Sequence, residues 1–217
     1  MKKFTLISIA VLMASLTLSS CNSGGKSSDN QEKDFKTMVV EYNSSYEMMG
    51  VKMTEKETTW VDIKNKKEAS LSMKTSVIMG VESIEETLEI KDGDWAYSIN
   101  LKDKTGTKAN VGEIKDMAQM LSGMIDVDVT GLKDFIEKSG GKVLANESFL
   151  GKDCFVYELM GTKNWMYKGV ILKSMLGDKI MKEAVKIEED VTIPSERFEV
   201  PKGIAITEVK DIFNAEE

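Results

Sequence analysis

The sequence predicts an α+β fold that is mainly β, a long antiparallel sheet with two helices packed on it. Three observations carry that expectation. Several stretches alternate apolar and polar residues with period two, one strong two-residue turn signal joins two of them, and two short runs repeat apolar residues at helical spacing.

In chain order, "MKKF" sets Lys2 and Lys3 ahead of the apolar run "FTLISIAVLMASLTL", which closes on Ser19 and Ser20. The run is shorter than the ~20 residues a spanning helix needs, and it leads straight into a polar segment. Residues 1–20 therefore read as a removable export signal. Leu18, Ser19, Ser20 and Cys21 resemble the lipobox of bacterial lipoproteins, which implies acylation of Cys21 and makes it the mature N-terminus. Several acyl chains anchor stably, each buried CH₂ contributing about 0.8 kcal/mol. From 21 to 34 the chain has no apolar residue beyond Cys21 itself, and this stretch reads as a lipidated flexible tether. One domain follows, over 35–217.

Within it, "FKTMVVEYNSSYEMMGVKMTEKETTWVDIK" predicts two or more strands. "SLSMKTSVIMGV" sets Leu71, Met73, Val77, Met79 and Val81 on one side of a half-buried strand, with Ser72, Lys74 and Ser76 on the other. Asp92-Gly93 is the turn signal; pairing across it sets Ile90 opposite Trp95, Leu88 opposite Tyr97 and Ile84 opposite Leu101. A further hairpin is expected about Gly151-Lys152. Later strands are expected in "NWMYKG", "VILKSML", "AVKIEEDVTI" and "GIAITEV". The first helix is expected around Ile114, Met117, Leu121 and Met124, with Asn110 and Glu113 as a capping box. The second carries Leu132, Phe135 and Ile136 and ends at Gly140-Gly141.

Composition restricts function. Without residues 1–20, which carry two lysines and no acid, 27 basic residues stand against 36 acidic ones, a net charge of −9. That disfavours nucleic acid and anionic membrane surfaces as partners. With Cys21 acylated, Cys154 is the one remaining thiol, so no internal disulfide forms. The chain contains no histidine, which removes a Ser or Cys triad base and a usual zinc ligand. Cys154 sits in a strand pattern and reads as a small buried hydrophobe. The acids near Glu55 and Glu188 read as solvated strand faces, and Trp60, Trp95 and Trp165 as core aromatics. No glycine-rich phosphate loop opens a helix. A non-enzyme is expected, with no catalytic residue, metal or cofactor.

The C-terminal half carries a family resemblance. "GKDCFVYEL", "NWMYKGVILKS", "EAVKI" and "IPSERFEVPKG" follow in an order similar to LolA-like lipoproteins of Bacteroidota, relatives of the lipoprotein carrier and its outer-membrane receptor. Gly151, Cys154 and Tyr157 match the first element; Trp165, Lys168, Gly169, Leu172 and Lys173 the second; Ala184 the third; Pro194, Phe198, Pro201 and Gly203 the last. The resemblance implies a curved antiparallel sheet forming an unclosed β-barrel, with helices packed in the opening over an apolar cavity. Candidate cavity residues are Leu71, Met73, Val77, Met79, Leu88, Trp95, Tyr97, Met117 and Leu121. Of the 15 methionines, 13 lie beyond the signal; such side chains suit a cavity that accepts varied chains and equally suit an irregular filled core.

The resulting expectation is an outer-membrane lipoprotein on the periplasmic face that binds lipid or an acylated protein. The alternative is an interaction or sensory lipoprotein that binds an envelope protein partner. A soluble carrier shuttles, so the lipobox favours a receptor-like or an unrelated resident role. The first acid after Cys21 is Asp29, beyond "NSGGK", a departure from the early acidic signal that surface-displayed lipoproteins of Bacteroidota carry.

Overall fold

In the computed structural model the described residues are 36–48, 51–110 and 129–209. The first meander runs β1 (Thr37–Met48), β2 (Val51–Asp62), β3 (Lys67–Ile78), β4 (Val81–Asp92), β5 (Trp95–Asn100) and β6 (Thr105–Asn110). Helix α1 (Val129–Lys138) precedes β7 (Lys142–Val143) and β8 (Glu147–Phe149). A second meander follows: β9 (Lys152–Leu159), β10 (Thr162–Tyr167), β11 (Val170–Leu176) and β12 (Lys179–Glu189). A 3₁₀ turn (Ser195–Phe198) and β13 (Ala205–Val209) complete it.

All thirteen strands belong to one sheet, in the order β13-β6-β5-β4-β3-β2-β1-β12-β11-β10-β9-β7, with β8 also on β9. The pairing of β1 with β12 joins the two meanders. The ends of the sheet do not meet, so the fold is the expected mainly β, unclosed half-barrel. One pairing is not antiparallel: β13 lies parallel to β6, Ala205 beside Thr105 and Val209 beside Ala109.

Tight turns connect the strands. Met79-Gly80, Leu150-Gly151, Met160-Gly161 and Lys168-Gly169 each place two successive residues at positive φ, the type I′ geometry that matches strand twist. Three expectations are corrected here. At the β4–β5 turn the central pair is Gly93-Asp94, with Asp92 opposite Trp95, Ile90 opposite Tyr97 and Leu88 opposite Ile99. Each cross-strand partner is displaced by two residues from the expected one, an even shift that leaves every side chain on its predicted face. The later hairpin turns on Leu150-Gly151, so that Phe149 pairs with Lys152. And the "SLSMKTSVIMGV" run is not one strand. It ends at Ile78, and Val81 begins β4 opposite Ile78, on the face away from Leu71.

Helix α1 follows the expectation. Ile136 is fully buried and the helix packs on β7 and β9. Gly140, at φ +77°, ends it: the Gly141 N–H donates to the Ile136 carbonyl and the Gly140 N–H to that of Glu137, a Schellman cap. A Cβ on Gly141 would sit 2.4 Å from the Glu158 carbonyl oxygen, so close helix–sheet contact requires glycine there. The other expected helix, with Met117 and Leu121, lies outside the described residues.

Alternation along β1 and β2 builds a core on each side of the sheet. Met38, Val40, Tyr42 and Val61 join Cys154, Val156, Trp165, Val170, Leu172 and Ala184 in one cluster. Val39 and Trp60, cross-strand partners, point the other way. There Trp60, Ala69, Leu88, Ile90 and Ile99 pack with Phe198. The segment between β12 and β13 crosses this second face, bringing Ile193, Phe198, Val200 and Ile204 onto it.

Candidate functional site

Register decides which candidate residues meet. Leu71 lies opposite Leu88 and Ala69 opposite Ile90, while Ile90 lies opposite Tyr97 and Asp92 opposite Trp95. Leu71, Met73, Val77, Leu88, Trp95 and Tyr97 therefore share one face of the sheet, as their alternation required. Met79 does not join them. It is the first turn residue of the β3–β4 hairpin, at φ +51° and 98% exposed.

The face is covered unequally. Leu88 is buried, and Leu71 and Tyr97 pack against the cluster that Phe198 closes. Arg197 stacks its guanidinium 4.7 Å from the Trp60 ring centroid. At the β6 side, Lys108 lies 4.6 Å from the Trp95 ring centroid and pairs with Glu208 at 2.8 Å. Toward the β3–β4 turn the crossing segment no longer covers the sheet. Met73 is 46% exposed and Ile84, opposite Thr75, is 49% exposed; Val77 is half-buried. The result is an apolar floor at Leu71 and Leu88 that continues outward through Met73, Val77 and Ile84, flanked on the same face by the exposed Lys52, Lys56, Glu82 and Glu86.

The opposite face holds a polar network that sequence reading missed. Glu57 accepts hydrogen bonds from Lys182 at 2.8 Å, Ser70 at 2.7 Å and Thr59 at 2.9 Å. Lys182 also lies 4.1 Å from the ring centroid of Tyr42, whose hydroxyl donates to the Ile171 carbonyl at 3.1 Å. Burial opposes ionisation of Glu57, yet Lys182, Ser70 and Thr59 together hold its carboxyl below the usual range. For Glu55, burial first and the Glu57 charge second push the carboxyl up. Burial, with Glu57 and Glu68 adding, also raises the Tyr42 phenol. The acids near Glu55 are thus not a plain solvated face: Glu55 and Glu57 point to the same partly enclosed side and Lys56 to the other. A half-buried lysine over a hundred residues away is the signal that one strand's alternation cannot supply. Glu188, by contrast, is exposed and pairs with Lys186 at 2.8 Å, as expected.

Cys154 is fully buried, and burial raises its thiol above the usual range, with a backbone hydrogen bond opposing. Trp165 packs in the core and donates to Glu147 at 2.7 Å. Every buried side-chain nitrogen and oxygen of the described residues has a partner. No helix among them is long and apolar enough to cross a membrane. Cys21 lies outside the described residues.

No protein-family model and no curated protein matches the chain. Among solved structures it is similar to an uncharacterized conserved protein from Thermus thermophilus, at 5% identity and TM-score 0.48, over 82% of this chain and 94% of that one. It is also similar to PNGF-II in two crystal forms, at 13% and 11% identity with TM-scores of 0.40 and 0.39. There the match spans 80% of this chain and 31% of the PNGF-II chain. Such distant likenesses leave function to be argued from this chain's own residues.

Proposed function

We propose that the chain is a membrane-anchored envelope lipoprotein whose open apolar strip receives a lipid or an acyl chain, in the receptor-like manner that the LolA-like resemblance implies. The observation that carries this reading is the uncovered continuation of the apolar face through Met73, Val77 and Ile84. Apolar surface removed from water yields about 25 cal/mol per Å², so an acyl chain laid along the strip gains from each methylene it buries. No covalent step is needed; transfer follows from exposure and release of the chain.

In this proposal Cys21 is acylated and holds the domain at the outer membrane, on the periplasmic face. A coil spanning 22–34 reaches about 20 Å, taking 5–6 Å × √n, and keeps the strip within reach of the bilayer. Mass spectrometry of lipids retained by the purified lipidated protein tests the reading. A stoichiometric acyl ligand is expected, and a reproducibly lipid-free protein would count against it.

A further inference from the structure

We propose that one end of the sheet, the row of hairpin tips carrying Met79, Met160 and Leu176, is a docking surface for a neutral phospholipid bilayer, into which these side chains insert. This goes beyond acyl-chain binding on the strip and stands on a different observation.

Every pairing from β6 across to β9 is antiparallel, so the turns alternate between the two ends of the sheet. The β3–β4, β11–β12 and β9–β10 turns fall at one end. The three most exposed large apolar side chains of the described residues stand there: Met79 at 98%, Met160 at 89% and Val81 at 70%. Ile78 and Leu176 are about half exposed beside them. Leu176 lies 3.8 Å from where a Gly161 Cβ would sit, which joins its tip to that of Met160. At the other end the turns carry Lys64, Asn65, Lys66, Asp94 and Lys168, with Leu150 as the apolar exception. The chain enters β1 at that other end, through Thr37, so contact at the tips is separate from an anchor at Cys21.

Backbone geometry adds a second argument. Met79 and Met160 both take φ +51°, a conformation that bulky side chains rarely adopt and that asparagine or glycine takes readily. At their exposure neither methionine gains packing that would offset the strain. A flexible apolar side chain held out in water at that cost suits insertion into lipid. A bilayer also fits the spacing. From the β3–β4 tip to the β9–β10 tip is six strand intervals in the sheet order, roughly 30 Å at about 4.8 Å each. That is wider than a peptide groove covers and no obstacle for a lipid surface. Charges beside the tips are of both signs and nearly balanced: Lys52 with Glu82, Asp178 with Lys179, and Asp103 between Lys102 and Lys104. Nothing there draws in anionic lipid, and the net negative chain is repelled by it.

The test uses the mature chain, residues 21–217, carrying Cys21→Ser, with one further substitution: Met79→Cys, Met160→Cys or, at the other end, Lys66→Cys. The new thiol is labelled with an environment-sensitive dye; Cys154 is fully buried. Phosphatidylcholine vesicles should shift the dye emission to the blue at 79 and 160 and leave it unchanged at 66. Met79→Asn should raise the lipid needed for half the shift at 160 by about fivefold or more. Since asparagine suits the turn, that loss is not one of folding. Replacing part of the lipid with anionic phosphatidylglycerol should not lower the requirement at low salt. No shift at the tips, an equal shift at 66, an unchanged requirement in folded Met79→Asn, or a requirement lowered by anionic lipid overturns the proposal. So does a shift that depends on protein concentration without vesicles, which would mean that a second copy covers the tips. Because no fatty acid is added and Met73 is untouched, failure here is separable from failure of acyl-chain binding.

Discussion

Lys182 on β12 reaches over Tyr42 on β1 to place its amine 2.8 Å from the carboxylate of Glu57 on β2. One ion pair thereby spans the seam where the two meanders join. Lys182→Met keeps the stem over the Tyr42 ring but leaves Glu57 without its cation in a mostly buried place. The expected cost is about 2 kcal/mol at neutral pH, or roughly 4–8 °C in Tm.

That cost should depend on pH. The folded-state pKa of Glu57 is lowered, so its stabilisation is present above the unfolded value and is lost as pH falls through the folded one. In Lys182→Met, burial is unopposed by the lysine and the carboxyl takes up its proton at higher pH. Glu55, already raised by burial and Glu57, moves the same way when Lys182 is lost. The difference in Tm between parent and variant should therefore narrow from about pH 7 toward about pH 4. Melting curves that stay a constant distance apart would show that the pair does not act as described.

Gly93 occupies the first central position of the β4–β5 turn at φ +60°, and a Cβ there would meet nothing within 4 Å. The cost of Gly93→Val is then conformational rather than steric, about 1 kcal/mol or more. Thermal melting should register a drop of several degrees; an unchanged Tm would contradict the turn geometry.

Met79 presents the opposite case, a bulky residue at φ +51° with almost no packing to lose. Asparagine tolerates that conformation far better. Met79→Asn should raise stability by about 0.5–1 kcal/mol, measured by urea unfolding with an unaltered m value. A loss of stability would mean that the side chain has a partner.

Processing offers a separate check on the N-terminal reading. Cys21→Ser removes the sulfur that the lipobox resemblance marks for acylation. The variant should either retain residues 1–20 or appear as protein without lipid. Continued recovery of a lipid-modified, shortened chain would refute acylation at Cys21.

Strands are legible in the sequence where each buries one face, because alternation and burial then say the same thing: Leu71, Met73, Val77, Leu88, Trp95 and Tyr97 fall on a single face. Turn centres are less so. The β4–β5 turn centres on Gly93-Asp94 because Gly93 takes positive φ at the first central position, which leaves Asp92 in the ladder opposite Lys67, paired with it at 3.2 Å. The β3–β4 turn has only Gly80 as a local marker, because Met79 stands where an asparagine or aspartate would complete the signal, and alternation continues through it. Strand direction is not local either. The parallel pairing of β13 follows from the route of residues 190–204 across the sheet, which Phe198 anchors. The polar network at Glu57 and the gathering of apolar tips at one end of the sheet depend on partners and on a strand order set elsewhere in the chain.

Acyl-chain binding is tested most directly by titrating the protein with a fluorescent fatty acid, comparing Met73→Glu with Ser76→Glu. Met73 lies on the exposed apolar strip, and Ser76, bonded to Ser83, lies on the opposite face of the same strand. Both variants should retain the parent's circular dichroism. A carboxylate set against a buried acyl chain should weaken probe binding by about tenfold in Met73→Glu, equivalent to about 1.4 kcal/mol, and leave Ser76→Glu at the parent's affinity. Saturable binding that is equal in all three folded proteins, or absent from the parent, would contradict acyl-chain binding on this strip.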